Sequence, residues 1–135
     1  TEQEVELNTT IRKWQRTPEN DPYKSGLESL ASHMEPMLKG YVLKTAYNEF
    51  CYPAIEDAVD ELANENVTKI IIVTTMITRG GSHSEIEIPE ELKALRQKYS
   101  NIDIQYAWPF DIDAFALFLT THIKNASPLS AVKSN

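Results

Sequence analysis

Apolar positions along this chain follow two rhythms. In some stretches they recur every third or fourth residue, as on one face of a helix. In others they crowd together with β-branched residues, as in a buried strand. The opening piece, "TEQEVELNTTIRKW", places Leu7, Ile11 and Trp14 at helical spacing, so residues 1–16 are expected to hold a short amphipathic helix. "QRTPENDPYKSG" then breaks the pattern with two prolines. Its Asp21-Pro22 pair has the form of an N-cap followed by proline at the first helical position. Tyr23, Leu27, Leu30, Met34 and Leu38 line one face of the next helix, which Pro36 should kink or shorten and Gly40 can end.

The second half alternates between the rhythms. Residues 41–50, "YVLKTAYNEF", read as a strand. "PAIEDAVDELANEN" starts a helix at Pro53 and aligns Ile55, Ala58, Val59 and Leu62. "KIIIVTTMIT", 69–78, is nearly unbroken β-branched sequence and predicts a central strand covered on both faces. "IPEELKALRQKY" is helical, with acids in its first turn. "IDIQYAW", 102–108, predicts another strand, and Ile112, Phe115, Ala116, Leu119 and Ile123 align in a last helix. The tail from Ser127 is expected to be disordered.

The order is thus α-α-β-α-β-α-β-α, which implies an α/β fold with a parallel sheet and right-handed crossovers. The expectation is one domain over residues 1–126, followed by a tail at 127–135.

Composition narrows the function classes. The chain has 135 residues, 41% hydrophobic and 24% charged, which fits one soluble domain with a real core. A net charge of −7 gives no basic surface for nucleic acid, so no nucleic-acid partner is expected. No apolar run is long enough to span a bilayer, and no membrane partner is expected. Cys51 stands alone, so no intrachain disulfide is possible, which suits a reducing, cytoplasmic setting. Sequons at Asn8, Asn66 and Asn125 are read as accidental.

In parallel α/β sheets, ligands gather at the carboxyl ends of the strands. That rule selects "YNEFCYP", "TRGGSHSE" and "WPFD" as loops of one rim. Gly80 and Gly81 free the backbone there, and His83 follows them. Histidine suits first-row divalent metals and titrates nearest neutral pH, although a solvated loop histidine is the simpler account from sequence alone. Glu49 ends an apolar strand, where a carboxylate either turns to solvent or serves a task. One His and one Glu make an incomplete metal site. His33 and His122 are read as helix-face or helix-end residues. Trp108 offers an aromatic wall for a flat ligand, with packing as the default. "EIEIPEE" is most simply a charged edge leading into a helix. "RGGSH" has neither the dinucleotide nor the Walker spacing, and there is no G-x-S-x-G elbow. Cys51 lacks a paired base and reads as a small buried residue.

The segments "EFCYPAI" and "GGSHSEIEIP", with "IDIQYAWPF", resemble the small sirohydrochlorin chelatases, the CbiX-like class II chelatase family. The resemblance extends over most of the chain. It implies a three-layer, flavodoxin-like parallel sheet and a homodimer. It also implies insertion of a divalent metal into a sirohydrochlorin-type tetrapyrrole, in cobalamin or sirohaem biosynthesis. The metal is then a substrate, Co²⁺ or Fe²⁺ with Ni²⁺ also open, and no organic cofactor is needed. On this resemblance His83 is the metal ligand or proton acceptor, and Glu49 is a second metal ligand. Arg79, Gly80, Gly81 and Trp108 then contact the substrate, with Arg79 placed to pair with a substrate carboxylate. The sequence departs from the family at its start. No apolar strand ending in His-Gly precedes Thr17, so the family's first strand is expected to be missing from this chain. That departure keeps a noncatalytic metal- or tetrapyrrole-binding relative, or an assembly subunit, as the alternative.

Overall fold

The computed structural model describes residues 1–12, 21–47 and 51–126. It contains helices α1 (Glu2–Arg12), α2 (Pro22–Met34), α3 (Ile55–Asn64), α4 (Ile88–Lys98) and α5 (Ile112–Ala126), with strands β1 (Lys69–Ile72) and β2 (Asp103–Tyr106). A 3₁₀ turn (Glu35–Met37) follows α2, and a π-helical turn (His83–Glu87) runs directly into α4. The α/β class and the parallel sheet follow the alternation in the sequence. Part of the N-terminal helix expected at 1–16, and the tail from Ser127, lie outside the described residues.

β1 and β2 pair in parallel, with Lys69 opposite Asp103, Ile70 opposite Ile104, Ile71 opposite Gln105 and Ile72 opposite Tyr106. The ladder extends from Asp103 N to Thr68 O (2.9 Å) and from Ala107 N to Ile72 O (2.8 Å). It stops there because the Trp108 amide turns back to Tyr106 O (2.9 Å) and Pro109 has no N–H to give. β1 is therefore shorter than the apolar run at 69–78, since a strand persists only while a neighbour accepts its hydrogen bonds.

The sheet buries one face. Ile70 and Ile104 join Val59, Ile88, Leu92, Leu95 and Ile102 in the core, with Ile72 and Tyr106 packed against it. Helices α3 and α4 supply that layer. The opposite face carries Lys69, Ile71, Asp103 and Gln105, all exposed, with Ile71 at 47%. This corrects the expectation of a strand covered on both faces. The burial alternates along each strand, as in a sheet with one wet side.

Residues 41–47, the described part of the strand expected at 41–50, form no strand. Tyr47 makes one isolated parallel bridge to Ala54, its amide donating to Pro53 O (2.8 Å). Lys44 instead reaches Glu61 on α3 and Glu65 at its C-cap, 3.4 Å from each. Among the described residues β1 and β2 pair only with each other, and the β propensity of "YVLKTAY" is met by that single bridge.

Local signals explain the helix ends. Asp21 accepts from Lys24 N (3.0 Å) as the N-cap of α2, with Pro22 beginning the helix. Pro36 lies in the 3₁₀ turn that replaces the expected last turn of the helix. On α3, the Asp57 carboxylate reaches back to Ala54 N (2.9 Å), half of a capping box. Lys98 at the end of α4 binds Glu56 (3.1 Å) and Asp60 (3.2 Å) on α3, and the Tyr99 hydroxyl also donates to Asp60. Helix α5 differs from these: none of its residues is buried, although Leu117, Phe118 and Ile123 are large and apolar. Among the described residues no helix is long and apolar enough to cross a membrane.

Candidate functional site

The rim is built where β1 ends. Tyr23 of α2 meets Tyr47 edge-on (centroids 6.3 Å apart), and its hydroxyl lies 3.3 Å from Thr75 Oγ1. One tyrosine thus touches both the 41–47 segment and the exit from β1. The chain continues to Arg79 and then reverses at Gly80, whose φ of 100° lies in the region that favours glycine. Gly81 O accepts from Ser84 Oγ (3.3 Å) and from Glu85 N (3.0 Å), which starts the π turn.

His83 heads that turn rather than lying in an open loop. Its carbonyl accepts from Ile88 N, five residues on, the bond that defines a π-helical turn. Residues four apart are neighbours on a helical turn, so Glu87 lies beside the ring, with Nδ1 and Oε2 2.7 Å apart. An ionised carboxylate can only accept, so Nδ1 donates. The lone pair of the neutral ring is then on Nε2, free for a metal ion or a proton. Carboxylate–histidine pairs of this kind fix the tautomer and the orientation of the ring.

Two residues away, Glu85 gathers the rest of the rim. Its Oε1 accepts from Arg79 Nε (3.0 Å) and from Gly80 N (3.0 Å). Its Oε2 accepts from Arg79 Nη2 (3.3 Å) and from Trp108 Nε1 (3.0 Å). Arg79, then the Trp108 indole, then the Gly80 amide stabilise the anion and bring its pKa from 4.5 down to about 2. Tyr106 pins the same turn from the sheet, its hydroxyl donating to Ser84 O (2.9 Å). Burial, and secondarily the Glu85 charge, push that phenol upward. Trp108 stacks on Tyr106 (6.0 Å, 12° between planes) and meets Phe110 edge-on at 5.9 Å. Ser84, under this lattice, is only 1% exposed.

Four of the six residues singled out from the sequence, Arg79, Gly80, Gly81 and His83, fall in this turn and the approach to it. Trp108 joins them from β2 through Glu85. Glu49 lies outside the described residues. His33 bonds its own helix, Nδ1 to Ser29 O at 2.8 Å, and His122 stacks on Phe118 in α5, so both are helix-face residues as expected. Glu85 and Glu87 were missed. "EIEIPEE" is not simply a charged edge, because Glu85 and Glu87 each turn back onto the rim. The spacing of His83 and Glu87, four apart just before a proline, was the available signal, and only a turn at 83–87 gives it meaning. Among the described residues no three His, Cys, Asp or Glu side chains come together as a metal cage.

Fold and rim together define a small parallel α/β domain with a carboxylate-oriented histidine at the carboxyl end of its sheet. The CbiX family model matches residues 19–122, and the chain belongs to the CbiX family. It is 24% identical over 93 residues to a sirohydrochlorin ferrochelatase of Priestia megaterium, covering 67% of this chain and 35% of the relative. A sirohydrochlorin cobaltochelatase of the same organism is 22% identical over 97 residues, 72% of this chain and 31% of the relative. A sirohydrochlorin cobaltochelatase of Methanopyrus kandleri is 29% identical over 72 residues, 53% of this chain and 50% of the relative. The chain spans between about a third and half of the length of these relatives.

Proposed function

We propose that this chain is a chelatase domain that inserts a divalent metal, cobalt or iron, into a sirohydrochlorin-type tetrapyrrole. The observation that carries the reading is the His83–Glu87 pair at the rim of a CbiX-family domain. The reaction joins M²⁺ to the four ring nitrogens and releases two pyrrole N–H protons. A group is needed that can hold the ion briefly or take a proton, and imidazole Nε2 does either near neutral pH. Glu87 stabilises the positive charge that ring acquires in either role. Glu49 is proposed as the second metal ligand, on the resemblance of "YNEFCYP" to the family segment. Arg79 and Trp108 are proposed to face the macrocycle. A cytoplasmic homodimer is the proposed setting.

The test is direct. Purified chain, sirohydrochlorin and Co²⁺ or Fe²⁺ are followed by absorbance. The expected result is insertion faster than in the protein-free mixture, lost in His83→Ala. No acceleration by the wild-type chain would refute the chelatase reading. A second reading is favoured by the absence of a three-ligand cage among the described residues: a relative that binds metal or tetrapyrrole without turnover. It predicts saturable binding with no insertion.

A further inference from the structure

Two carboxylate oxygens of Glu85 receive four donors from two places in the fold: the Arg79–Gly80 reversal beyond β1, and Trp108 just past the end of β2. No backbone ladder joins these places, since the sheet closes at Ile72 and Ala107. We propose that Glu85 is the positioning residue of the site, holding the His83 turn against the aromatic end of β2. This deepens the chelatase reading and rests on it.

The chemistry of the donors supports the assignment. A bidentate guanidinium–carboxylate pair is directional as well as strong, so it fixes an angle and not only a distance. An indole N–H has a single donor direction, which aims the edge of Trp108, while its stack on Tyr106 (12° between planes) sets the plane of the ring. The indole edge of Trp108 and the turn bearing His83 are then held by one group, as a flat substrate kept at a fixed height above a metal-bearing nitrogen requires. Glu85 uses Nε and one Nη2 hydrogen of Arg79, leaving Nη1 and the second Nη2 hydrogen to meet an anionic substituent without opening the clamp. Glu85 itself spends both oxygens on the protein, which separates its role from that of a metal ligand.

The experiment uses the full ¹⁵N-labelled chain as wild type, Glu85→Gln and Glu85→Ala, with Trp108→Phe assigning the indole resonance. The Trp108 indole shift and Gly80 amide exchange report the clamp. Cobalt insertion into sirohydrochlorin, run in parallel, gives kcat and KM. Expected are a moved indole resonance and faster Gly80 exchange in Glu85→Ala. A fall of roughly 10–100-fold in kcat/KM accompanies them, carried mainly by kcat. Glu85→Gln keeps the size and one acceptor oxygen and falls between, and it carries the test alone if Glu85→Ala does not fold. An unmoved indole resonance overturns the proposal. So do moved reporters with unchanged kcat/KM, and so does a loss confined to KM. A wild-type chain that fails to speed insertion sinks the chelatase reading before any variant is compared, and the positioning role falls with it.

Discussion

Helices α4 and α5 are both amphipathic by sequence and both follow directly from the rim, yet the structure treats them oppositely. α4 buries Ile88, Leu92 and Leu95 against the sheet, with Leu92 fully enclosed. α5 buries nothing, and Leu117 is 69% exposed. The contrast separates two meanings of an apolar stripe. In α4 the stripe is matched by Ile104 and Ile70 across a layer interface and becomes core. In α5 the stripe has helical spacing and no matching surface among the described residues. Periodicity predicts the helix in both cases, and burial depends on a partner that periodicity does not supply.

Substitutions on the two helices break or sharpen this contrast. The largest effect is expected from Leu92→Ala, which should lower unfolding free energy by about 2–5 kcal/mol in urea denaturation. Leu117→Ala should stay within about 0.5 kcal/mol, and a loss as large as that of Leu92→Ala would show that α5 is covered in solution. Next is Tyr106→Phe. It leaves the ring and removes the hydroxyl that holds Ser84 O, so a loss of about 1 kcal/mol is expected, with faster amide exchange through residues 83–87. A smaller effect attends Glu85, and its sign follows from the depressed pKa. The folded carboxyl titrates near 2 and the unfolded one near 4.5. Its stabilisation is fully present above about pH 5 and is lost as pH falls toward 2. Wild type and Glu85→Gln should therefore differ most at neutral pH and converge in acid, as read from urea midpoints. The smallest effect on stability is expected from His83→Ala, whose ring is partly exposed. Its melting temperature should stay close to wild type while the proposed metal insertion is lost, which would set a functional surface apart from the packed helix behind it.

Much of the core was legible because each of its elements showed its own apolar face. Ile70 sits in a β-branched run and Ile104 in an alternating one, and the helices α3 and α4 carry Val59, Leu92 and Leu95 at the right spacing to cover one face. The caps at Asp21 and the break at Pro36 were equally readable, because they depend on neighbours in sequence. Three features were not. The 41–47 segment has β propensity, but a strand also needs a paired neighbour, and among the described residues it has only the single bridge from Tyr47 to Ala54. The second face of the sheet stays open around Ile71, because an unbroken apolar run says nothing about what lies above it. The π turn at 83–87, on which Glu87 sits beside His83, follows the Gly80 reversal and is held by Tyr106 from the sheet, and that tertiary contact does not show in the local sequence. At the site, the glycines and the histidine stood out as residue types, whereas Glu85 was hidden in an acidic run, and its role appears only when Arg79 and Trp108 are in place around it.

The bond from Tyr106 to Ser84 carries one further consequence. Tyr106 is the last paired residue of β2, opposite Ile72, and it points to the core face because the pairing has that phase. A slip of a single residue between the two strands would swing the phenol to the open side and release the turn that bears His83. The alignment of two four-residue strands thus serves as a vernier for the histidine. Hydrogen-bond register, ordinarily a matter of folding, here becomes a setting of the site's chemistry.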